Sequence, residues 1–535
     1  MRSTLNKPTQ VVGRSAGSPI CSRIRRLGVL SGVWAAVMAL GACSTVRVEM
    51  PPSSLQLPDH FDAVDTPASR GTDLARWWQA LNDPVLTAFI EEGLQHNADV
   101  KIALARIQEA RAFHGMAESA FFPTVEGMAG ASRARQTSHL PVNVKPEVSL
   151  PLPIPITIGL PPVSQDLRMP LGNTTAGSLM ATWELDLFGA RHADADMVQQ
   201  LIYGAQEQQH GAQLLVAADI ATRYFEARGG ERRLAVLQQA VQVAERGHLY
   251  AQGRFKAGHA DAGEVDRAEM QWRAAQAQIE PLKALIASHV RRIAVLMGRA
   301  PQALPALPVF PALAVKGSVM PPLPAVLPGE VLARRPDVRG MARKVLSQVA
   351  KVGSAKAELF PKFYLGLGAS AGRLHPDHEA GQNFGTQMLG VGMRLPIFEA
   401  GRIRQHIAAQ EAQLQGLAIQ YEQTVLGALE DVENVYAARR AFEDKAQRVQ
   451  QASQLAGQIA QRKMALFQSG QELLQVALEA QAQALQKEDE AIQARTSVET
   501  YTVLLYKALG GGWADATSAT QLAGAAAYDL AKTGP

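Results

Sequence analysis

Few side chains in this 535-residue chain are placed to make or break bonds. The twelve histidines show no metal-ligand spacing, His375-x-x-His378 included. No nucleophile elbow, phosphate loop or convergent carboxylate set stands out. The exception is Cys43. Arg23, Arg25 and Arg26 precede an apolar run from Leu27 to Leu40, which closes in Leu40-Gly41-Ala42-Cys43. That pattern reads as a signal peptide over residues 1–42 ending in a lipobox, with Cys43 as the acylated first residue of the mature chain. Each buried CH₂ of an acyl chain contributes about 0.8 kcal/mol, so a multiply acylated cysteine is a firm anchor. Ser44 follows, with no aspartate there to suggest retention at an inner membrane. The other cysteine, Cys21, lies inside the leader, so no disulfide is expected in the mature chain. No enzyme activity, metal or cofactor is expected.

Charged residues make up 19% and aromatics 6%, and the net charge is +4. Disorder is not expected of such a chain, and with no Lys/Arg run beyond the leader neither is nucleic-acid binding. No second apolar run reaches 18 residues, so no transmembrane helix is available. If the mature chain crosses a membrane, it must do so as strands of a closed barrel.

What organises the chain is a repeat. Ala217–Gly298 lies on Leu429–Gly510 at a shift of 212 residues, with Asp219 on Asp431, Tyr224 on Tyr436 and Phe255-x-x-Gly258 on Phe467-x-x-Gly470. Each copy reads as a long helical hairpin whose tip follows the Phe-x-x-Gly. Upstream, Asp99–Pro123 lies on Asp337–Pro361 at a shift of 238. Each half is therefore a helix, a Phe-Pro break, a strand pair, a long helix, a tip and a return helix. The Phe-Pro breaks lie at Phe122-Pro123 and Phe360-Pro361. The expected domains are a tether over 43–76, a first repeat over 77–298, a Pro-rich linker over 299–329, a second repeat over 330–510 and a tail over 511–535. One amphipathic helix is expected over about 85–119, capped by Asn82 or Asp83 with Pro84 in its first turn. Proline is absent from Leu171 to Glu280 and from Ile397 to Gly534, so a helix of about 190–255 would measure about 100 Å.

The strand pairs fall at about 122–135 with 176–187, and at about 362–372 with 386–397. Leu389, Val391, Met393 and Leu395 alternate with Gly390, Gly392 and Arg394, and Leu179, Ala181, Trp183 and Leu185 with Met180, Thr182, Glu184 and Asp186. Period two over about ten residues suits a membrane-barrel strand. A half-buried soluble hairpin fits the same alternation. The Arg373–Gly385 connection is short and polar. Gln136–Asn173 holds eight prolines and reads as a surface loop. Four strands cannot close a barrel, so a cyclic oligomer is expected: two chains supply eight strands and three supply twelve, with three preferred for a pore.

These residues together resemble the outer-membrane efflux protein family, in its lipoprotein branch of multidrug efflux channels. The matches are the lipobox, Trp77-Trp78…Asp83-Pro84, Asp186-Leu187-Phe188-Gly189, Pro396-Ile397-Phe398-x-x-Gly401-Arg402 and the doubled Phe-x-x-Gly tips. The resemblance spans about residues 40–512. It implies a mainly α fold with a membrane β-barrel, assembled as a homotrimer with a twelve-stranded barrel in outer-membrane lipid and a helical barrel across the periplasm. It also implies an exit duct that docks on a periplasmic membrane-fusion adaptor and an inner-membrane RND-type pump. Around the second tip, Leu478-Glu479-Ala480-Gln481 fits the family's docking stretch, whereas Leu473 and Ala477 depart from it. Around the first, Val265, Arg267 and Ala268 fit and Gly263 departs.

The candidate site is therefore the pair of tips, as adaptor surface and closed end of the duct. It comprises Tyr250, Arg254, Phe255, Gly258 and Asp266 on the first hairpin, and Phe467, Gly470 and Glu479 on the second. Tyr250, Arg254 and Asp266 are the candidate polar latches. Glycine supplies the positive φ that ends a helix, and Phe255 and Phe467 can pack beneath the turn. Simple turn chemistry accounts for the same residues. Glu184, Asp186 and Arg394 are expected to line or rim the lumen. The rival readings are a lipid-anchored periplasmic coiled-coil scaffold without a pore, and a duct for metal ions or small secreted proteins.

Overall fold

A computed structural model of the chain describes residues 48–51, 55–61, 74–134, 147–150, 156–159, 172–308, 326–376 and 380–513. The signal peptide, Cys43, His378, most of the tether and most of the Pro-rich loop lie outside the described residues, as do parts of the linker and tail. After a short 3₁₀ helix at Leu74–Leu81 come α1 (Pro84–His96), α2 (Ala98–Ser119), β1 (Thr124–Ala134), β2 (Glu147–Leu150), β3 (Ile156–Gly159) and β4 (Gly172–Leu185). Then follow α3 (Ala190–Lys256), α4 (Ala262–Ala277), α5 (Ile279–Leu296), α6 (Pro328–Arg334) and α7 (Pro336–Ala357). The chain finishes with β5 (Lys362–Pro376), β6 (Gln382–Arg394), α8 (Arg402–Gln468) and α9 (Leu474–Ala508). Two compact units emerge. One holds the strands, within Ala120–His192 and Gly353–Ile403, and the other holds the described residues of Glu49–Ser119, Ala193–Val352 and those from Arg404 on.

In the helical unit, α3 and α8 each run 67 residues without a break, as proline-free stretches of good helix formers allow. Helix ends are closed by glycine. Gly258, Gly298, Gly470 and Gly510 have φ between 73° and 75°. At Gly258 the amide donates to the Phe255 carbonyl at 2.9 Å and the His259 amide to the Arg254 carbonyl at 2.8 Å. At Gly470 the matching bonds run to Phe467 (3.0 Å) and from Gln471 to Leu466 (2.9 Å). Both are Schellman closures, in which a left-handed residue lets the last carbonyls find donors.

The single helix expected over 85–119 is instead two, broken at Asn97. Asp83 caps α1, its Oδ1 accepting from the Val85 and Leu86 amides at 3.0 Å each. Asn97 is buried, takes the Asp99 amide at 2.7 Å and donates Nδ2 to the Leu296 carbonyl at 2.9 Å. Its repeat counterpart, Arg335, separates α6 from α7 and donates to the Ala508 carbonyl at 3.3 Å. Ala508 is in turn the counterpart of Leu296. In both halves a polar residue thus interrupts the first helix to satisfy the end of the return helix, a group that would otherwise lack a partner. Burial pushes the Asp337 carboxyl up, but the hydrogen bonds and charge of Arg335 outweigh it and hold the carboxyl below its ordinary value.

The main core gathers around Trp77, which stacks on Tyr506 at 5.1 Å. Tyr224 donates to Asp83 at 2.7 Å, and burial followed by that carboxylate pushes its phenol above the ordinary value, so it stays a donor. A Cβ at Gly229 would overlap the Thr496 side chain and one at Gly230 that of Ile286. These glycines let α3 approach α9 and α5 closely. The tail, on which sequence is silent, is pinned at its start. Trp513 is buried, stacked on His210 at 4.2 Å and covered by Arg339 at 4.8 Å.

The main sheet of the strand unit is antiparallel, in the order β1-β4-β5-β6. β1 pairs β4 from Thr124↔Thr182, and β5 pairs β6 from Lys362↔Arg394, which is the same register carried through the repeat. β4 and β5 join the halves, with Leu185 opposite Phe363. The polar Arg373–Gly385 stretch is not all connection: β5 runs on to Pro376 and β6 starts at Gln382. Within the expected Gln136–Asn173 loop, β2 and β3 pair as a small hairpin.

Substituting Asn97→Ala removes a cap and leaves the Leu296 carbonyl unpaired. The expected cost is about 1–3 kcal/mol, read as a lower melting temperature of the helical circular-dichroism signal, whereas a surface control such as Glu91→Ala should leave it unchanged.

Candidate functional site: the duct wall and its tips

Directly opposed residues of an antiparallel sheet share a face, so the register sorts the side chains. Val125, Ala181, Leu367 and Leu389 form one row, Trp183, Leu365 and Val391 a second, and Leu185, Phe363 and Met393 a third. In the lone chain Leu389 and Val391 are 73% and 75% exposed. The largely apolar rows, with Gln387 beside Ala369 as a polar member, run from Gly177 to Leu185 along β4, about 27 Å of strand at roughly 3.4 Å per residue, close to the height of a membrane barrel's apolar band. Beyond them the same face turns polar at Thr175, Arg373 and Asn383. The opposite face carries Thr124, Thr182, Gly366 and Gly390 in one row and Glu184, Tyr364 and Gly392 in another. No helix among the described residues is long and apolar enough to cross a membrane.

The three expected lumen charges have different fates. Glu184 lies on the polar face and accepts from Arg191 at 2.8 Å. Arg394 lies on that face too, opposite Lys362, and both line a cleft of about 260 Å³ with Tyr364, Glu358, Glu399 and Arg402. Asp186 departs from the expectation. β4 ends at Leu185, and Asp186 takes the backbone amide and Nδ1 of His192 at 2.9 and 2.7 Å. It acts as an anchor for the first turn of α3.

At the first tip, Arg254 is the hub. Its guanidinium donates to Glu264 at 3.0 Å, to the His259 carbonyl at 2.6 Å and to Gln475 of the second hairpin at 3.4 Å. Asp266, one of the expected latches, is exposed and does not reach it. α4 begins at Ala262, capped by Asp261 through the Glu264 amide at 2.8 Å, so Glu264 rather than Asp266 points back to α3. Tyr250 is half-buried on α3, and its hydroxyl makes no hydrogen bond among the described residues. Phe255 is 49% exposed, so it does not pack beneath its turn in the single chain, while Phe467 is half-buried. At the second tip Lys463 bridges to Glu472 at 2.8 Å, a link that sequence reasoning missed because Ala251 stands at the repeat position of Lys463. Glu479 is exposed and accepts from Gln475 at 3.0 Å.

The two hairpins are joined through α3 and α9. Val236, Val243, Leu478 and Leu485 form a small core, flanked by Arg232–Glu499 and Arg233–Asp489 ion pairs at 2.8 Å each. These interhelical charges had no separate signal in the repeat. No group of metal-ligating side chains occurs among the described residues.

A sheet with one apolar and one polar face, open at both edges, continuing in sequence into very long helical hairpins, defines an outer-membrane channel with a helical duct. The model of the family described as "Outer membrane efflux protein" matches residues 89–299 and 327–511, and the chain belongs to that family. It is 26% identical over 487 residues to the probable efflux pump outer membrane protein TtgC of Pseudomonas putida, covering 89% of this chain and 94% of that protein. It is 27% identical over 399 residues to nodulation protein T of Rhizobium leguminosarum bv. trifolii, covering 72% and 77%. Its fold is similar to the open state of the Neisseria gonorrhoeae MtrE outer membrane channel, with a TM-score of 0.71 at 22% identity, covering 88% of this chain and 99% of that one. The protein is an outer-membrane efflux channel with a large periplasmic helical part, working with an efflux pump system, and not an enzyme.

A side chain at φ near +73° costs about 1–2 kcal/mol. Gly258→Ala should therefore weaken the first tip by that amount, seen as faster hydrogen exchange of the amides at 258 and 259 with the exchange of the Gly298 turn unchanged.

Proposed function

We propose that the chain is the exit duct of a tripartite system, in which an inner-membrane RND-type pump supplies the work and a periplasmic membrane-fusion adaptor docks around the tips. Three copies close a twelve-stranded barrel, and Cys43 carries the lipid anchor. The observation that carries this reading is the exposed apolar face of Leu389, Val391 and Met393, which only lipid would cover along a whole barrel. The relatives' names include antibiotic, toluene and solvent efflux and pyoverdine export. Small organic solutes are accordingly the proposed cargo, in preference to metal ions or secreted proteins.

The closed end of the duct is the pair of tips. Arg254 holds Glu264 and reaches Gln475, so it ties the first turn to the second hairpin. Tyr250 and Asp266 face the same end, with Phe255, Gly258, Phe467, Gly470 and Glu479 forming the adaptor surface. Outer-membrane extracts of the protein should run as a heat-dissociable trimer and conduct ions in planar bilayers. A soluble monomer after removal of Cys43, with no conductance, would support the scaffold reading instead. Arg254→Ala should raise the conductance of the closed state several-fold and Asp266→Ala should change it little. An unaltered closed state in Arg254→Ala would remove the latch role.

A further inference from the structure

The sheet leaves β1 and β6 as open edges, and each edge carries a charge with no recorded partner among the described residues. Glu126 is exposed on β1 and Arg394 is exposed on β6. Both lie on the polar face. Arg394 also stands directly opposite Lys362, an arrangement that is unfavourable between strands unless an anion relieves it. Of the carboxylates in the same cleft, Glu399 is held by Arg402 at 2.8 Å and Glu358 has a contact of its own.

The internal repeat specifies where the missing partner strand would come. β1/β4 and β5/β6 share one register through shifts of 238 and 212 residues. The remaining pairing, β4 with β5, joins one half to the next. If the ring is closed by a second copy in the same way, β6 meets the neighbour's β1 in the register that β4 shows toward β5. Met180 faces Gly368, and their counterparts are Gly392 and Gly130. Thr182 faces Gly366, and their counterparts are Arg394 and Met128.

We infer that β6 of one protomer pairs with β1 of the next with Gly392 opposite Gly130 and Arg394 opposite Met128, so that Arg394 and Glu126 form an ion pair across the subunit interface on the lumen wall. Glu126 then lies two residues from the position facing Arg394, on the same face, within diagonal reach of a long arginine side chain. One oppositely charged pair per junction adds an anion beside Arg394, which faces Lys362 and has no partner of its own among the described residues. It also gives the open edges a polarity that favours this register over one slipped by two residues. The inference rests on the closed trimeric barrel proposed above.

Disulfides test the register, because directly opposed residues lie about 4.5–5.5 Å apart and diagonal ones about 7 Å or more, beyond easy bridging. Gly130→Cys with Gly392→Cys should give covalent multimers on oxidation of the membrane-embedded protein, with neither single variant doing so. Gly130→Cys with Gly390→Cys should give at least tenfold less. Preferential bridging of the second pair overturns the register. The ion pair is tested separately. Glu126→Arg and Arg394→Glu should each lower the temperature at which the trimer dissociates in detergent, and the double variant should restore it. Singles without effect, or a double variant no better than either single, would overturn the pair. Conducting trimers in which both arms fail would leave the channel reading intact and reject this interface alone.

Discussion

An unpaired backbone amide or carbonyl is costly in hydrocarbon, and the assembly of this protein depends on that constraint. The sheet has two outer strands, β1 and β6, with one side of each backbone unsatisfied. Within lipid each such group costs several kcal/mol, far more than the side-chain contacts that could offset it. Four strands are too few to curl round and pair with themselves. The ring of copies proposed above would satisfy both edges. The repeat makes this economical, since the junction within a chain already displays one way for two such halves to meet.

Much of the fold is legible in sequence because its signals are local and periodic. Proline-free runs, apolar steps of three and four, and Phe-x-x-Gly at a constant shift define the hairpins. Alternation along Leu389–Leu395 and Leu179–Leu185 marks the strands. The break at Asn97 was not legible. Nothing in the hydrophobic pattern changes there, and the residue interrupts the helix because Leu296, almost two hundred positions away, needs a donor. The anchoring of Trp513 was hidden for a similar reason: His210 and Arg339, which both contact its ring, are far away in sequence.

The candidate site was legible in outline only. The doubled tips located Arg254, Gly258, Phe467 and Gly470, because glycine at a helix end has a conformational meaning that survives without context. Asp266 was grouped with Tyr250 and Arg254 as a candidate latch, with no partner named for any of the three. The turn supplies the partner of Arg254: Asp261 caps the start of α4, Glu264 in the first turn accepts from Arg254, and Asp266 is exposed. Asp186 was placed on the wall by continuing the strand's alternation one step too far. The chain had already turned, and the carboxylate serves the start of α3.

The repeat is imperfect at one position that bears on mechanics. The return segment of the second hairpin, α9, is one unbroken helix of 35 residues, whereas that of the first is divided between α4 and α5 at Gln278. Pro281 is the cause, since it offers no amide to the turn before it, and Gln493 takes its place in α9. The first hairpin therefore has one weakened turn where the second has none. A turn short of one backbone hydrogen bond is the place where the first return helix opens most readily, whereas the matching turn of α9 keeps its ladder.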